Sequence, residues 1–192
     1  MKTLPIDYKE YTVNTSVLLI DPPWKYDDRP KSTQIHQVTY GVWENEEGLD
    51  WIFSQPVEYI FLWATNSMLL NILQHQHKNF IYKQCVTWVK QTNKGNLAYG
   101  LGHNFRNCTE QLLLFTHKKA KPLHLNLRNV IHAPVGPRTQ KPKEWEVELC
   151  RLLNDRGRSV TYVFSGPCVD VFNEFDNMIC VDTCFKDENN HL

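Results

Sequence analysis

One short stretch of the chain reads Ser16-Val17-Leu18-Leu19-Ile20-Asp21-Pro22-Pro23-Trp24. Its first five residues form a short, mainly apolar run, which is typical of a buried strand. Proline fixes φ near about −65° and disfavours helix at the preceding residue, so Pro22 and Pro23 hold the backbone after the strand in one geometry. The stretch therefore predicts a strand that ends in a rigid turn, with Asp21 and Trp24 at its carboxyl end.

The residues of this turn suit chemistry on the amino group of a flat base. An amino nitrogen conjugated with a ring is a poor nucleophile, and acceptors that bind both of its N–H protons favour a more reactive, pyramidal geometry. Asp21 and the carbonyl of Pro22 are candidates for these acceptors, and Trp24 offers a face on which an extruded base stacks. Asp-Pro pairs also occur in ordinary turns, and in that interpretation Trp24 is simply a core residue. The complete tetrapeptide directly after a strand favours the chemical interpretation.

Length and composition indicate one soluble domain. The 192 residues fit a single domain over residues 1–192 with a substantial core, and no linker, internal repeat or low-complexity run interrupts them. The N-terminus carries charge and proline too early for a signal peptide, and apolar stretches such as residues 59–64 are far too short to span a membrane. We therefore expect a soluble, cytoplasmic protein without a membrane partner.

The cysteines do not form a pattern of disulfides or metal ligands. Six cysteines are scattered along the chain and several lie in apolar runs, which favours buried free thiols. Cys168, Cys180 and Cys184, with His191, are the one combination that resembles a metal site, but the C-x₂-C spacing typical of zinc is absent. The sequence therefore predicts no metal.

Charge is separated along the chain although the formal net charge is zero. Residues 83–143 contain eleven Lys and Arg against one acid, Glu110, so this segment carries +10 and the remainder −10. Aromatic and histidine side chains are interleaved with these cations, as nucleic-acid surfaces require. The segment predicts a basic face for a polyanion; the alternative is that folding mixes both halves into a neutral surface. The candidate phosphate contacts are Lys25, Arg106, Lys118, Lys119 and Arg138.

Strands and helices alternate along the chain. The predicted strands cover residues 16–20, 57–63, 82–90, 111–115, 129–132, 160–164 and 178–181. Helices are predicted from residue 66 to about residue 79, after Pro142, and briefly after residue 167, while residues 92–107 predict a mobile loop. This alternation predicts an α/β sandwich with a largely parallel sheet. Ligands in such folds bind beyond the carboxyl ends of the strands, where Asp21 and Ser165 are expected.

Six motifs in a fixed order carry a resemblance to a known family. They cover residues 21–26, 61–65, 87–90, 103–114, 130–134 and 138–142. The first four resemble, in this order, the catalytic motif, the second strand and turn, the third strand, and the substrate loop with its following strand of the DPPW-type adenine N6-methyltransferases. The last two together resemble the stretch before the cofactor helix of the same family. This is the family of the catalytic subunit of the messenger-RNA m6A writer and its small bacterial and phage relatives.

The resemblance implies a Rossmann-like methyltransferase sandwich with permuted motif order that uses S-adenosylmethionine. Asp21, Pro22, Pro23 and Trp24 then match the catalytic motif, and Tyr26 is a second candidate for base stacking. Lys141, just before a helix, matches a contact to the cofactor carboxylate, although it is also consistent with a solvated lysine. The other residues implied at the cofactor are Asp7, Tyr8, Asp21, Ser165 and Gly166, and the first two are equally consistent with a solvated turn.

The sequence departs from the family pattern near its C-terminus. Residues 166–170 stand where the family commonly has an arginine and polar residues for the cofactor ribose, and residues 183–188 replace its usual closing Trp-Gly-Asn-Glu. Asp170, Asn173 and Asp182 are alternative ribose contacts among which the sequence does not choose.

Three functions remain open from the sequence. The first is methyl transfer to N6 of adenine in nucleic acid, with DNA favoured over RNA because the chain is short. The second is a catalytically inactive, nucleic-acid-binding partner subunit, although such subunits typically lose the acid that this chain keeps as Asp21. The third is methylation of a small amine or a protein side chain, which the basic segment disfavours. A homodimer or a heterodimer is compatible with each of them.

Overall fold

A seven-stranded sheet forms the centre of the protein. The computed structural model describes residues 8–26, 43–100, 102, 104–136, 140–164, 175 and 177–181. In chain order the strands are β1 (Val17–Ile20), β2 (Tyr59–Ala64), β3 (Phe80–Gln91), β4 (Thr109–His117), β5 (Val130–Pro134), β6 (Val160–Val163) and β7 (Met178–Val181). The α-helices are α1 (Asn45–Ser54), α2 (Leu69–Gln74) and α3 (Lys143–Asn154), and one-turn 3₁₀ helices cover Tyr8–Glu10 and Asn66–Met68.

The sheet has the strand order β5-β3-β4-β2-β1-β6-β7. Strand β1 pairs in parallel with β2 and β6, β6 pairs in parallel with β7, and β3 pairs in parallel with β5. Strand β4 is antiparallel to both β2 and β3, so it is the one reversed strand among these seven. The predicted largely parallel α/β sheet is therefore confirmed. The start of β4 lies at the edge where the other strands end, which we call the catalytic edge.

Strand β1 is buried on both faces, as a central parallel strand must be. Leu18 and Ile20 pack into one apolar cluster with Leu49 and Ile52 of α1, and Ile72 of α2 joins the same cluster. Val17 and Leu19 pack into the opposite cluster with Leu149 and Leu153 of α3. Alternate residues of one four-residue strand thus reach two cores, and helices cover both faces of the sheet.

Several element boundaries differ from the sequence-based expectations. Helix α1 was not predicted, because Gly48 weakens the helical pattern; a Cβ there would lie 2.0 Å from Cζ2 of Trp43, so the glycine lets the helix approach that indole. Helix α2 ends at Gln74 instead of near residue 79. Strands β3 and β4 are longer than predicted, since residues 80–82 find partners in residues 115–117.

No helix in the described parts of the chain is long and apolar enough to cross a membrane. The described cysteines Cys85, Cys108, Cys150 and Cys180 are free thiols. The described residues also contain no group of His, Cys, Asp and Glu side chains arranged to hold a metal ion. The remaining members of the cysteine cluster considered from sequence, and the short helix predicted after residue 167, lie outside the described residues.

Candidate active site

Asp21 lies at the catalytic edge between the ends of two strands. Its backbone N–H donates to the carbonyl of Val163 at the end of β6 (3.2 Å), and β2 runs beside β1 on the other side. Its side chain keeps 28 % exposure. The following turn is closed by the Trp24 N–H, which donates to the Pro22 carbonyl at 2.8 Å. That carbonyl retains a second lone pair for another donor.

Four charged side chains form an alternating network at this edge. Nζ of Lys141 lies 2.7 Å from Oδ2 of Asp21 and 3.0 Å from Oε2 of Glu110. Lys90, near the end of β3, forms an ion pair with Oε1 of the same Glu110. Glu110 is the second residue of β4, and it reaches this edge only because β4 runs in reverse. We call these residues, Asp21, Lys141, Glu110 and Lys90, the charged quartet.

The quartet shifts the pKa values of its members in different directions. Burial raises the pKa of Asp21, and the neighbouring Lys141 only partly opposes this rise. Burial also disfavours the charged form of Glu110, but Lys141 and Lys90 outweigh it and lower the pKa of Glu110. For Lys141 burial is likewise outweighed, here by Asp21 and Glu110, so its pKa is raised. Glu110 and Lys141 are therefore a stable ion pair, while Asp21 is a more basic carboxylate than usual.

Beside the quartet, Glu146 of α3 is completely buried at 0 % exposure. Its Oε1 accepts hydrogen bonds from Nε1 of Trp63 and from the hydroxyl of Tyr162, both at 2.8 Å. Its Oε2 has no hydrogen-bond partner among the described residues. Burial raises the pKa of Glu146 to about 7, against the two hydrogen bonds that lower it. Nζ of Lys141 lies 5.6 Å from the centroid of the Trp63 ring, so Glu146 fixes an indole that packs under the quartet.

Sequence reasoning missed the roles of both glutamates. Glu110 was noted only as the single acid of the basic segment, and Glu146 was not noted at all. A signal for Glu146 existed, because it shares the apolar side of the helix with Leu149 and Leu153, three and seven residues later. A carboxylate on a buried face needs donors around it.

Trp24 is a core residue in this structure. Its side chain is 7 % exposed, its Nε1 donates to the carbonyl of Trp63 at 3.0 Å, and its ring meets Trp43 edge-on at 6.1 Å between centroids. This position matches the core interpretation of the tetrapeptide, in which the indole anchors the turn, and leaves little of its face open to a base. Stacking by Trp24 accordingly stays an untested prediction.

Three other predicted contacts lie close to the turn. The hydroxyl of Tyr26 forms a hydrogen bond with Oγ1 of Thr65 (2.9 Å), just after β2. Nζ of Lys25 pairs with Glu44 at 2.8 Å, and its backbone N–H donates to Asn45, so Lys25 ties the turn to α1. Tyr8 packs in the core with its ring centroid 4.8 Å from that of Trp43.

Lys118 and Lys119 do not belong to this site. They directly follow β4, which starts at the catalytic edge and ends at the opposite one. The seven residue-to-residue steps from Glu110 to His117 span about 24 Å at roughly 3.4 Å each. Lys118 instead donates to the carbonyl of Lys78 at 2.7 Å. They therefore do not adjoin Asp21, and their assignment to substrate binding stays an untested prediction.

The basic segment does not form one basic face for the same reason. It crosses the sheet in β3, β4 and β5, so its cations are delivered to both edges. Lys90 and Lys141 lie inside the charged quartet, and Lys94 and Arg106 are exposed on the loop between β3 and β4 at the catalytic edge. The remaining sequence-predicted contacts, Asp7, Arg138, Ser165 and Gly166, lie outside the described residues, as do Asp170, Asn173 and Asp182.

With this geometry established, comparison with known proteins identifies the family. A model of the MT-A70 family matches residues 15–166, which include the turn at Asp21, Glu110, Lys141 and Glu146. The chain belongs to the MT-A70 family. It is accordingly an adenine methyltransferase that depends on S-adenosylmethionine, as the resemblance implied. No curated protein matches the chain.

A solved structure shows the fold of this MT-A70 chain independently. The crystal structure of M1.HpyAVI in complex with S-adenosylmethionine (SAM) is 18 % identical, with a TM-score of 0.57, over 88 % of this chain and 82 % of that one. At this identity the likeness concerns the fold, and it confirms the predicted Rossmann-like methyltransferase sandwich.

The donors at the catalytic edge fit the charges of S-adenosylmethionine. An ammonium group has three N–H donors, and two of those of Lys141 are directed at Asp21 and Glu110. The third suits an additional acceptor such as the cofactor carboxylate. Lys141 is thus the described residue whose donors would hold the cofactor carboxylate, while Asp21 stays a predicted neighbour of the cofactor.

Proposed function

We propose that this protein methylates the N6 amino group of adenine in nucleic acid, with DNA favoured over RNA, and that Asp21 binds the amino group. The observation that carries the proposal is the position of Asp21. It joins the rigid turn after the central strand to Lys141 at the start of the cofactor-side helix. The residue that would hold the base is thereby in contact with the residue that would hold the cofactor.

S-adenosylmethionine supplies an activated methyl group on a sulfonium. The amino nitrogen of adenine would gain this methyl group as the carbon–sulfur bond breaks and leaves a neutral thioether, and the nitrogen would release one proton to water. Asp21 accepts one N–H of the amino group, and the raised pKa of its carboxyl makes it a stronger acceptor than an ordinary aspartate. The free lone pair of the Pro22 carbonyl accepts the other N–H, in an orientation that Pro23 and the Trp24 N–H maintain. Pre-placed acceptors and alignment of two bound reactants then supply most of the acceleration.

The other site residues bind and orient. Lys141 seats the cofactor, and its pairing with Glu110 keeps it protonated in a buried position. Tyr26 and Trp24 flank the turn, with Tyr26 the less buried of the two. Asp7, Tyr8, Ser165 and Gly166 complete the proposed cofactor contacts, while Lys25, Arg106 and Arg138 are the proposed phosphate contacts.

The preference for DNA rests on size. A chain of 192 residues has few elements with which to read a long sequence context, and this favours a short target site of the kind that small DNA-modifying relatives use.

A methyl-transfer assay tests the proposal. Labelled S-adenosylmethionine is incubated with the protein and adenine-containing DNA or RNA oligonucleotides, single- and double-stranded, and the nucleosides are separated after digestion. We expect label in N6-methyladenine and more transfer to DNA. Transfer to RNA alone would overturn the preference for DNA. Tight polynucleotide binding without transfer to any substrate would favour the inactive partner subunit, and label in protein or small amines would favour the third function.

A further inference from the structure

The loop between β3 and β4 presents large apolar side chains to solvent at the catalytic edge. Phe105 is 87 % exposed, Tyr99 71 % and Leu97 59 %. Burial of such a side chain is worth about 1.5–3 kcal/mol. Exposure of two aromatic rings six residues apart on one loop is therefore unfavourable for the isolated chain and indicates a binding surface.

Backbone hydrogen bonds connect the described residues of this loop, which the sequence predicts to be mobile. The Ala98 N–H donates to the Lys90 carbonyl (2.9 Å), and the Gly100 N–H donates to the Asn107 carbonyl (2.8 Å). Gly102 permits a close turn, because a Cβ there would lie 1.9 Å from the carbonyl oxygen of Phe105. The aromatic rings are thus displayed from a hydrogen-bonded framework, which reduces the entropy lost when a ligand stacks on them.

This framework adjoins the charged quartet on both sides. Lys90 lies two residues before the loop and Glu110 two residues after it, and the Lys90 N–H donates to the Cys108 carbonyl at 2.8 Å. Phe105 is five residues from Glu110, so its backbone lies at most about 18 Å away. That distance corresponds to roughly five stacked nucleotides at about 3.4 Å each. A polymer whose target base lies at Asp21 therefore has its neighbouring bases within reach of the loop.

The composition of the loop favours a nucleic acid over a protein surface. Residues 91–107 contain no acid; they contain the exposed cations Lys94 and Arg106 and several amide side chains. Separate aromatic rings between cations and amides are what unpaired bases and their phosphates bind.

We propose that Tyr99 and Phe105 form a stacking platform for unpaired bases beside the target adenine. The protein then acts on single-stranded or locally opened polynucleotide, and Lys94 and Arg106 bind its phosphates. The proposal rests on the proposed function and specifies its substrate. Stacking uses the faces that all bases share, so the platform accepts both DNA and RNA. Parallel measurements with both polymers show which of them the protein binds more tightly.

The test compares Tyr99→Ala, Phe105→Ala and the double variant with the unmodified protein. The control is Ile81→Ala, which removes an apolar side chain of 42 % exposure from β3 near the opposite edge. Affinity is measured with single-stranded DNA and RNA nonamers that contain a single adenine, by fluorescence of 2-aminopurine placed one to five nucleotides from that adenine. Methyl transfer is measured with the same oligonucleotides and with an adenine nucleotide that lacks neighbours.

We expect each platform variant to weaken binding of the single-stranded nonamer by about 5- to 100-fold, with loss of 2-aminopurine quenching. KM for the nonamer should rise by a similar factor, kcat at saturation should persist, and the nucleotide without neighbours should react unchanged. Tyr99→Trp should keep the affinity, and Ile81→Ala should behave as the unmodified protein.

The proposal is overturned if the double variant binds the nonamer as tightly as the unmodified protein. It is also overturned if the variants lose methyl transfer equally on substrates with and without neighbouring nucleotides. Dissociation of a dimer by the variants in sedimentation experiments, with unchanged oligonucleotide affinity, would instead identify the loop as a protein interface. Failure of the proposed function is distinguishable, because 2-aminopurine quenching reports stacking even where no methyl is transferred.

Discussion

The ammonium group of Lys141 lies 2.7 Å from Oδ2 of Asp21, across 120 residues of sequence. The same ammonium lies 3.0 Å from Oε2 of Glu110. A lysine expected only to bind the cofactor therefore also orients the carboxylate proposed to bind the base. The proposed cofactor contact and the proposed base contact thus share one ion pair, and Lys141 has a second partner in Glu110.

Replacement of Asp21 separates these two roles. We expect Asp21→Ala to lower kcat by about 100- to 1000-fold, the range found when one preorganised polar contact to a reacting group is removed. Binding of S-adenosylmethionine, measured by calorimetry, should stay nearly unchanged, because Lys141 keeps Glu110 as a partner. Unchanged turnover would contradict the proposed role of Asp21, and Asp155→Ala on the exposed end of α3 provides the control.

Removal of the Lys141 charge should cost stability as well as activity. Lys141→Met leaves two acids facing each other without their shared cation, and we expect unfolding to become easier by about 3 kcal/mol. Glu110→Gln in the same chain should recover part of that loss, since one unpaired acid is removed. Urea unfolding of both single variants and the double variant measures this coupling, and strict additivity would show that the ion pair contributes nothing.

Glu146 should make stability depend on pH in the neutral range. Its folded-state pKa of about 7 exceeds the ordinary value of 4.5, so the folded protein binds more protons than the unfolded chain between these values. The stability contributed by the protonated form is fully present below pH 4.5 and is lost as the pH rises through about 7.

Glu146→Gln removes this titration while keeping an acceptor for Trp63 and Tyr162. Relative to the unmodified protein, the variant should gain about 3 kcal/mol as the pH rises from roughly 4.5 to above 7. Urea unfolding at half-unit pH steps measures the difference. Glu148→Gln, two residues along the same helix but exposed, should show no such trend between pH 5 and 8. If the stability of Glu146→Gln and that of the unmodified protein change in parallel with pH, the assignment of this titration to Glu146 is refuted.

Trp24 distinguishes an anchoring role from a stacking role. Trp24→Phe keeps an aromatic face but removes the N–H that donates to the buried Trp63 carbonyl. If the indole anchors the turn, we expect a loss of about 2 kcal/mol in stability together with lower kcat. If it stacks the base, stability should hold and only KM should rise modestly. Trp145→Phe, at a half-buried indole on α3, is the control for loss of ring size.

Lys118 and Lys119 should be dispensable for substrate binding. They follow β4 at the edge opposite Asp21, about 24 Å from Glu110 along the strand. The double variant Lys118→Ala/Lys119→Ala should keep KM and the salt dependence of oligonucleotide binding. Arg106→Ala, at the catalytic edge, should weaken binding and make the salt dependence less steep, because one phosphate contact is lost. If the double lysine variant weakens oligonucleotide binding as much as Arg106→Ala does, Lys118 and Lys119 belong to the substrate surface.

The sequence by itself determined the elements whose signals are local. The apolar run before Asp21 sufficed for β1, because a strand buried on both faces is continuously apolar. The apolar spacing after Pro142 was enough to predict α3, and the alternation of strands and helices was enough to predict the α/β class. The motifs around Asp21 and Lys141 sufficed for the family, which the match over residues 15–166 confirmed.

Only the tertiary structure decided which side chains meet. Reversal of β4 brings Glu110 to Lys141 and Asp21 and carries Lys118 to the far edge, and no local pattern encodes the direction in which a strand enters a sheet. The same holds for Glu146, whose burial depends on donors from Trp63 and Tyr162, 83 and 16 residues away. Strand order and direction are set by the free energy of packing the whole sheet, which the residues of one segment do not contain.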